Sequence, residues 1–264
     1  MNFIPLIDIA IHAAIRAGEK ILDVYSSVDF NIHYKADFTP VTLADQNAHD
    51  EILKILEPTH LPLLSEEGVH LSYKERKDWI LYWLVDPLDG TKEFIKRNDE
   101  FTVNIALIQG NQSIAGVIYA PVTGELYVGI TELGAWKIIN PSKDCTFQTL
   151  QLSGDRLPLK TEQEEYIVAV SRSHINFKTE LYIHALRKKH APLKVIRIGS
   201  SLKICKVAEG AAAIYPKLGL TMEWDTAAGH AIVKAAGKNI FLKDMKTELT
   251  YNKEDLHNPH FIVF

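Results

Sequence analysis

The stretch WLVDPLDGTKEF, Trp83 to Phe94, decides how the rest of the chain is read. The apolar run DWILYWLV predicts a buried strand, and it breaks into Asp86, Pro87, Leu88, Asp89, Gly90 and Thr91. Residues three apart in a strand point to opposite faces, so Asp86 and Asp89 can serve one site only if the strand ends at Asp86 and the chain turns. Pro87 and Gly90 supply a turn, because proline cannot extend a ladder and glycine tolerates the backbone angles of a tight bend. The loop then offers two carboxylates and the Leu88 carbonyl to one hard cation such as Mg²⁺, which takes oxygen ligands in near-octahedral geometry. A plainer reading has the two acids cap the helix that starts near Thr91. Two Asp with Pro and Gly at this spacing favour the metal.

Two further segments bring acids to the same kind of position. LPLLSEEG reads as a short buried strand ending in Glu66 and Glu67, which makes Glu66 the natural additional ligand. In MEWDTAAGHAIVKAAG, Asp225 precedes an Ala-rich amphipathic helix and is expected as its N-cap. A cap and a ligand are compatible roles. That helix start and the one at Gly90-Thr91 both aim free N–H groups outward, so a phosphate can sit between them.

Outward from this centre, MNFIPLIDIAIHAAIRAGEKILDVY repeats its apolar residues at helical spacing, carries Asp8 inside the apolar stretch and lacks a basic leader. It predicts an amphipathic first helix rather than a signal peptide. In HYKADFTPVTLADQNAHDEILKIL a loop gives way to a helix with Thr42 as N-cap. FTVNIALI, SIAGVIYAP, ELYVGIT and AWKII, between Glu100 and Ile139, predict an antiparallel meander. After a polar connection over 141–165, strand and helix patterns alternate to the C-terminus, the mark of an α/β half. The expected organisation is one structural unit of two subdomains, 1–140 with the metal loop and 166–264 with the substrate-specificity residues, and an active site between them.

Composition bounds the function. With 47% hydrophobic and 23% charged residues in 264, the chain can bury a large core and is not disordered. A net charge of -4 removes the electrostatic footprint of a nucleic-acid-polymer binder. Cys145 and Cys205 lie far apart with no CxxC spacing, so each is expected as a buried thiol in a reducing compartment. The most apolar run, Trp79 to Val85, falls short of the roughly 20 residues of a membrane helix. The expected location is therefore cytoplasmic; peripheral association with the inner face of the cell membrane is the alternative use of an amphipathic first helix.

Four segments in order, KADFTPVTLAD, LLSEEG, DPLDGTKEF and WDTAAGHAIVKAAG, resemble the signature segments of the lithium-sensitive, Mg²⁺-dependent inositol monophosphatase superfamily. The similarity is scattered from Lys35 to Gly237. Within the superfamily, Lys92-Glu93-Phe94, GSSLKICKVAEG and IYPKLG resemble the bacterial 3'(2'),5'-bisphosphate nucleotidases. The resemblance implies an α/β fold of the α+β layered kind, a sandwich of alternating helices and mixed sheets. It implies removal of the 3'-phosphate from adenosine 3',5'-bisphosphate, giving AMP, and from 3'-phosphoadenylyl sulfate, which clears a by-product of sulfate activation.

The resemblance also implies roles for residues. Two or three Mg²⁺ ions would be held by Glu66, Asp86, the Leu88 carbonyl, Asp89 and Asp225, with Asp45 at the edge of the cluster. Water would be the nucleophile, with Thr91 and Glu66 helping to orient and deprotonate it; Asp45 would be a further catalytic residue, and no phosphoenzyme would form. Paired metals can lower the water's pKa and stabilise the leaving alkoxide. On spacing alone, Asp45 reads as a first-turn helix acid and Thr91 as an ordinary N-cap. Glu66, Leu88, Asp89, Gly90, Thr91 and Asp225 would face the substrate. Ser200 and Ser201 sit at a predicted helix start with Lys203 in its first turn, a cradle for a second phosphate. His174 and Lys217 match positions that line the nucleotide side.

Other readings stay open at this level. An inositol or sugar monophosphate phosphatase would share the metal loop. A phosphatase with an aspartyl nucleophile needs DxDGT, and DPLDGT is one residue longer. A non-catalytic Mg²⁺ or nucleotide sensor would have lost one of Glu66, Asp86, Asp89, Thr91 or Asp225, all of which are present.

Overall fold

A computed structural model describes residues 3–27, 33–34, 40–159, 165–173 and 175–264. Helical periodicity of the first segment is realised as α1 (Ile4–Tyr25), which turns Ile7, Ile11, Ala14 and Ile21 inward. Two short strands, β1 (His33–Tyr34) and β2 (Pro40–Val41), pair antiparallel ahead of α2 (Leu43–Leu56). Thr42 caps α2 as expected, its Oγ1 accepting the Ala44 N–H at 3.2 Å. The apolar face of α1 is thus spent on internal packing rather than left for a lipid surface. Among the described residues, no helix is long and apolar enough to cross a membrane.

The large sheet follows from apolar strands that must bury both faces. It is built from β3 (Leu63–Ser65), then, after the one-turn α3 (Tyr73–Arg76), β4 (Leu81–Asp89) and, after α4 (Thr91–Ile95), β5 (Thr102–Gln109). β6 (Gln112–Ala120), β7 (Glu125–Ile130) and β8 (Gly134–Ile139) complete the predicted meander. The polar segment 141–165 carries α5 (Phe147–Ser153) and β9 (Asp155–Leu157), the latter an edge strand on β8. β3 runs parallel to β4 and the other neighbours are antiparallel. On one face Trp83, Val85, Ile105 and Leu107 meet α1 and α2; on the other Tyr82, Leu84, Ala106 and Ile108 face the second half of the chain.

That second half opens with β10 (Tyr166–Ser171), α6 (Phe177–Arg187) and β11 (Leu193–Ile198), the two strands parallel. It continues with α7 (Leu202–Glu209), β12 (Tyr215–Lys217), α8 (Glu223–Ala235), β13 (Ile240–Leu242) and β14 (Phe261–Val263). β12, β14 and β13 form an antiparallel group. It joins β10 through Ala169 N–H to the Ile214 carbonyl, 2.9 Å, and Ala213 N–H to the Ile167 carbonyl, 2.8 Å. α7 and α8 lie between the two sheets, and α6 covers the outer face with Ile183 and Leu186. The layers run helix, sheet, helix, sheet, helix, the fold class expected. α8 approaches so closely that a Cβ on Gly116 would lie 2.2 Å from the Ala228 carbonyl oxygen.

Two local expectations are corrected. β4 does not end at Asp86 but runs on to Asp89, because the ladder accommodates Pro87 by a shift of register. Asp225 is not the N-cap of α8: the helix starts at Glu223, so Asp225 is its third residue and caps from within the first turn, accepting the Met222 N–H at 2.9 Å.

Candidate active site

The register shift in β4 solves the problem posed by two acids three apart. Asp86 pairs with Asn104 and Asp89 with Thr102, so three steps on β4 match two on β5. This is a bulge, and one extra residue brings Asp86 and Asp89 to the same face. Pro87 has no N–H to lose there, and the Leu88 N–H turns to Asp86 Oδ1 at 3.1 Å. Gly90 then takes φ +98°, a conformation that L side chains rarely adopt, and starts α4. Phe94, on α4, anchors the loop by packing its ring 5.0 Å from Tyr25 and 5.2 Å from Phe101.

Glu66 follows β3 and is tied to β4 by its N–H on the Val85 carbonyl, 3.1 Å. Carboxylate oxygens of Glu66, Asp86 and Asp225 lie within 4.8 Å of one another. Burial first, and then mutual repulsion, drives Asp86 and Asp225 well above the usual carboxylate range. An all-oxygen donor set of repelling acids fits a hard divalent cation, whose charge would offset the repulsion. Asp89 stands beside this trio rather than in it. Its carboxyl is raised by burial, opposed by the Lys203 ammonium, the Ser201 N–H and the Asn104 amide.

Asp45 is buried in the first turn of α2, where Oδ2 accepts both the N–H and the hydroxyl of Thr42 at 2.7 Å. Its Oδ1 accepts the Thr91 hydroxyl at 3.3 Å, a bond that joins α2 to the start of α4. Burial pushes the Asp45 carboxyl up to about 6. One turn along α2, His49 Nδ1 meets Ser65 Oγ at 2.9 Å and braces the strand end that carries Glu66.

A cavity of about 780 Å³ is lined by the acids and by residues of the second half, whose Lys203 and Lys217 lie within electrostatic reach of Asp89 and Asp225. Glu66, Asp86, Leu88, Asp89, Gly90, Thr91, Ser200, Ser201, Lys203, Lys217 and Asp225 all line it; Asp45 lies behind Thr91, and His174 falls outside the described residues. Lys203 is buried with its ammonium donating to the Ser200 carbonyl and 5.4 Å from the Tyr215 ring centroid. Burial pulls it down to about 8, against the pull of Asp89. Lys217 is lowered by burial as well.

Sequence reading missed Glu93, Ser173 and Asn176, which also line the cavity. The Ser173 hydroxyl donates to Glu93 Oε1 at 2.5 Å, and Asn176 Nδ2 donates to the Leu218 carbonyl at 2.7 Å. It also missed Thr102 and Asn104, whose signal was available: polar residues at a spacing of two inside an otherwise apolar strand.

The inositol monophosphatase family matches residues 4–260, and the chain belongs to that family. Its relatives narrow the class further. The 3'(2'),5'-bisphosphate nucleotidase CysQ of Shigella flexneri is 43% identical over 263 residues, covering 98% of this chain and 99% of the relative. The protein of the same name from Escherichia coli K12 is 42% identical over the same length. The crystal structure of CysQ from Bacteroides thetaiotaomicron superposes with a TM-score of 0.92 at 49% identity, covering 99% of this chain and 97% of that one. The suhB protein of Bartonella henselae, at 23% identity and a TM-score of 0.74, shares the fold.

Proposed function

We propose that the chain is a Mg²⁺-dependent 3'(2'),5'-bisphosphate nucleotidase that hydrolyses the 3'-phosphate of adenosine 3',5'-bisphosphate to give AMP, and that of 3'-phosphoadenylyl sulfate. The observation that carries this reading is one cavity lined both by three clustered carboxylates and by two lysines, the buried Lys203 and the partly buried Lys217, that stand within electrostatic reach of Asp89 and Asp225. The carboxylates suit a cation and the phosphate undergoing reaction; the lysines suit a second anion.

Glu66, Asp86, the Leu88 carbonyl, Asp89 and Asp225 hold Mg²⁺ in this reading. When bound, the metal supplies Lewis acidity, a water of lowered pKa and neutralisation of phosphoryl charge. Thr91, pinned by Asp45 and the Leu88 carbonyl, orients the attacking water and passes its proton toward the Asp45 carboxylate. Glu66 assists from the other side. The water oxygen bonds to phosphorus, the bond from phosphorus to the ribose 3'-oxygen breaks, that oxygen takes a proton from solvent, and Asp45 returns its proton to solvent. Ser200, Ser201 and Lys203 hold the second phosphate at the start of α7, where the buried Lys203 ammonium lines the cavity. We place the enzyme in the cytoplasm, which suits the free, buried thiols Cys145 and Cys205.

The test is phosphate release with Mg²⁺ from adenosine 3',5'-bisphosphate, inositol 1-phosphate and fructose 1,6-bisphosphate. A nucleotide preference above about tenfold in kcat/KM, about 1.4 kcal/mol of transition-state binding, is expected. Preference for inositol phosphate would leave the acidic end in place and remove the assignment of Ser200, Ser201, Lys203 and Lys217.

A further inference from the structure

The turn Gly199-Ser200-Ser201, which launches α7, is gripped by one strand of the other half of the molecule. Three residues at a spacing of two do this. Glu100 Oε2 accepts the Gly199 N–H at 2.7 Å. Thr102 Oγ1 lies 2.8 Å from Ser201 Oγ, and Asn104 Oδ1 accepts the Ser201 hydroxyl at 2.8 Å. Alternate residues of a strand share a face, so the three side chains form a comb along β5 and its entry.

The grip is tight. A Cβ on Gly199 would lie 2.7 Å from the Glu100 carbonyl oxygen and 2.8 Å from Glu93 Cγ. Ser200 takes φ +46°, a left-handed conformation that costs a non-glycine residue energy and persists only where its surroundings hold it. Arg172, at the end of β10, closes the clamp with a bidentate pair on Glu100, at 2.5 and 2.6 Å, and a bond to the Arg197 carbonyl at 2.8 Å.

The same strand also sets the acidic end. Thr102 and Asn104 are the backbone partners of Asp89 and Asp86. One edge of β5 therefore fixes the bulged carboxylates, while its side chains fix the turn that carries Ser200, Ser201 and Lys203. We infer that Glu100, Thr102 and Asn104 are positioning residues that set the distance between the reacting phosphate and the second phosphate, and so select substrates carrying two phosphates at that spacing. The inference rests on the nucleotidase reading and adds to it a ruler that lies outside the substrate contacts.

Glu100→Gln and Thr102→Val are the test variants, since each changes a side chain that bonds the Gly199-Ser200-Ser201 turn. Each is assayed on adenosine 3',5'-bisphosphate and on adenosine 3'-monophosphate, which lacks the second phosphate. The expected result is a KM for the bisphosphate raised about three- to tenfold with kcat within about twofold, and constants for the monophosphate within about twofold of the parent. Arg172→Gln should shift the same constant in the same direction, and the double variant Glu100→Gln/Arg172→Gln should add little, as expected for residues acting through one contact.

Equal losses on both substrates, or a lowered melting temperature with no change in either KM, would reduce the comb to a structural brace and overturn the inference. A parent enzyme that does not distinguish the two substrates would instead overturn the nucleotidase reading, and the ruler with it. A parent that prefers the bisphosphate while the variants match it would overturn the ruler alone.

Discussion

Asp86 and Asp89 lie three apart in the sequence and on the same face of β4, because a bulge at Pro87 matches three steps of that strand to two of β5. In a regular ladder one of the two would point into the packing of α1 and α2 against the sheet. The bulge instead turns both toward α8, where Asp225 waits in the first turn, and toward Lys203 of α7. Acids from one half and charges of both signs from the other meet through this local irregularity.

Asp89→Asn keeps the volume of the side chain and removes the charge that the proposed function assigns to a metal ligand. The expected outcome is loss of about a thousandfold or more in kcat, several kcal/mol of transition-state stabilisation, with an unchanged melting temperature in the absence of metal. Activity within tenfold of the parent at saturating Mg²⁺ would remove Asp89 from the ligand set.

Gly90→Ala probes the loop without touching a charge. At φ +98°, with the Glu100 carbonyl oxygen 3.1 Å from where a Cβ would stand, alanine must strain or move the chain. A loss of about 1–2 kcal/mol in unfolding free energy is expected, with a fall in kcat as Thr91 shifts. Denaturant titration and steady-state rates measure the two, and a variant as stable and active as the parent would show that the turn is not constrained.

Much of this was legible in the residues. The meander, the alternating second half, the Thr42 cap and the gathering of acids at strand ends all follow from patterns of period two and 3.6 and from capping chemistry. Register was not. Proline after Asp86 argues for the end of a strand, and only the pairing with Thr102 and Asn104 shows that the ladder survives the interruption. Contacts between distant segments were equally hidden: nothing near Asp45 announces Thr91, 46 positions away, and nothing near Glu100 announces Gly199. The cap at Asp225 was misplaced by three residues, the N-cap being Met222, because a first-turn acid and an N-cap carry the same local signal.

The Asp45 carboxyl gives an acid limb. Burial raises it from 3.8 to about 6, so the folded metal-free protein holds this proton in a window where the unfolded chain has released it. Stability from this group is therefore greatest at low pH and is lost as pH rises from about 4 to about 6. In the proposed mechanism activity runs the other way, since there the carboxylate must be ionised to receive a proton through Thr91. kcat/KM is expected to fall with unit slope below about pH 6 or, where bound cations lower the carboxyl, somewhat below that; Asp45→Asn should be slow and lack the limb. A parent profile flat to pH 4.5 would exclude Asp45 as the proton acceptor.

Lys203 gives the alkaline counterpart. Its ammonium is buried, which lowers it from 10.5 to about 8 despite the nearby Asp89. Between those values the unfolded chain binds the proton and the folded one does not, so stability from this group rises with pH across the window. Substrate binding runs opposite, because a neutral amine no longer attracts the second phosphate. kcat/KM for adenosine 3',5'-bisphosphate is expected to decline above about pH 8, while adenosine 3'-monophosphate, with nothing to offer the lysine, shows no such decline. Lys203→Met should raise the KM for the bisphosphate by about tenfold or more at pH 7, from loss of a charge-assisted hydrogen bond, and remove the alkaline limb that the parent shows. If the limb persists in that variant, Lys217, lowered by burial on the same wall of the cavity, is the group that titrates, and the second phosphate belongs nearer to β12 than to the start of α7.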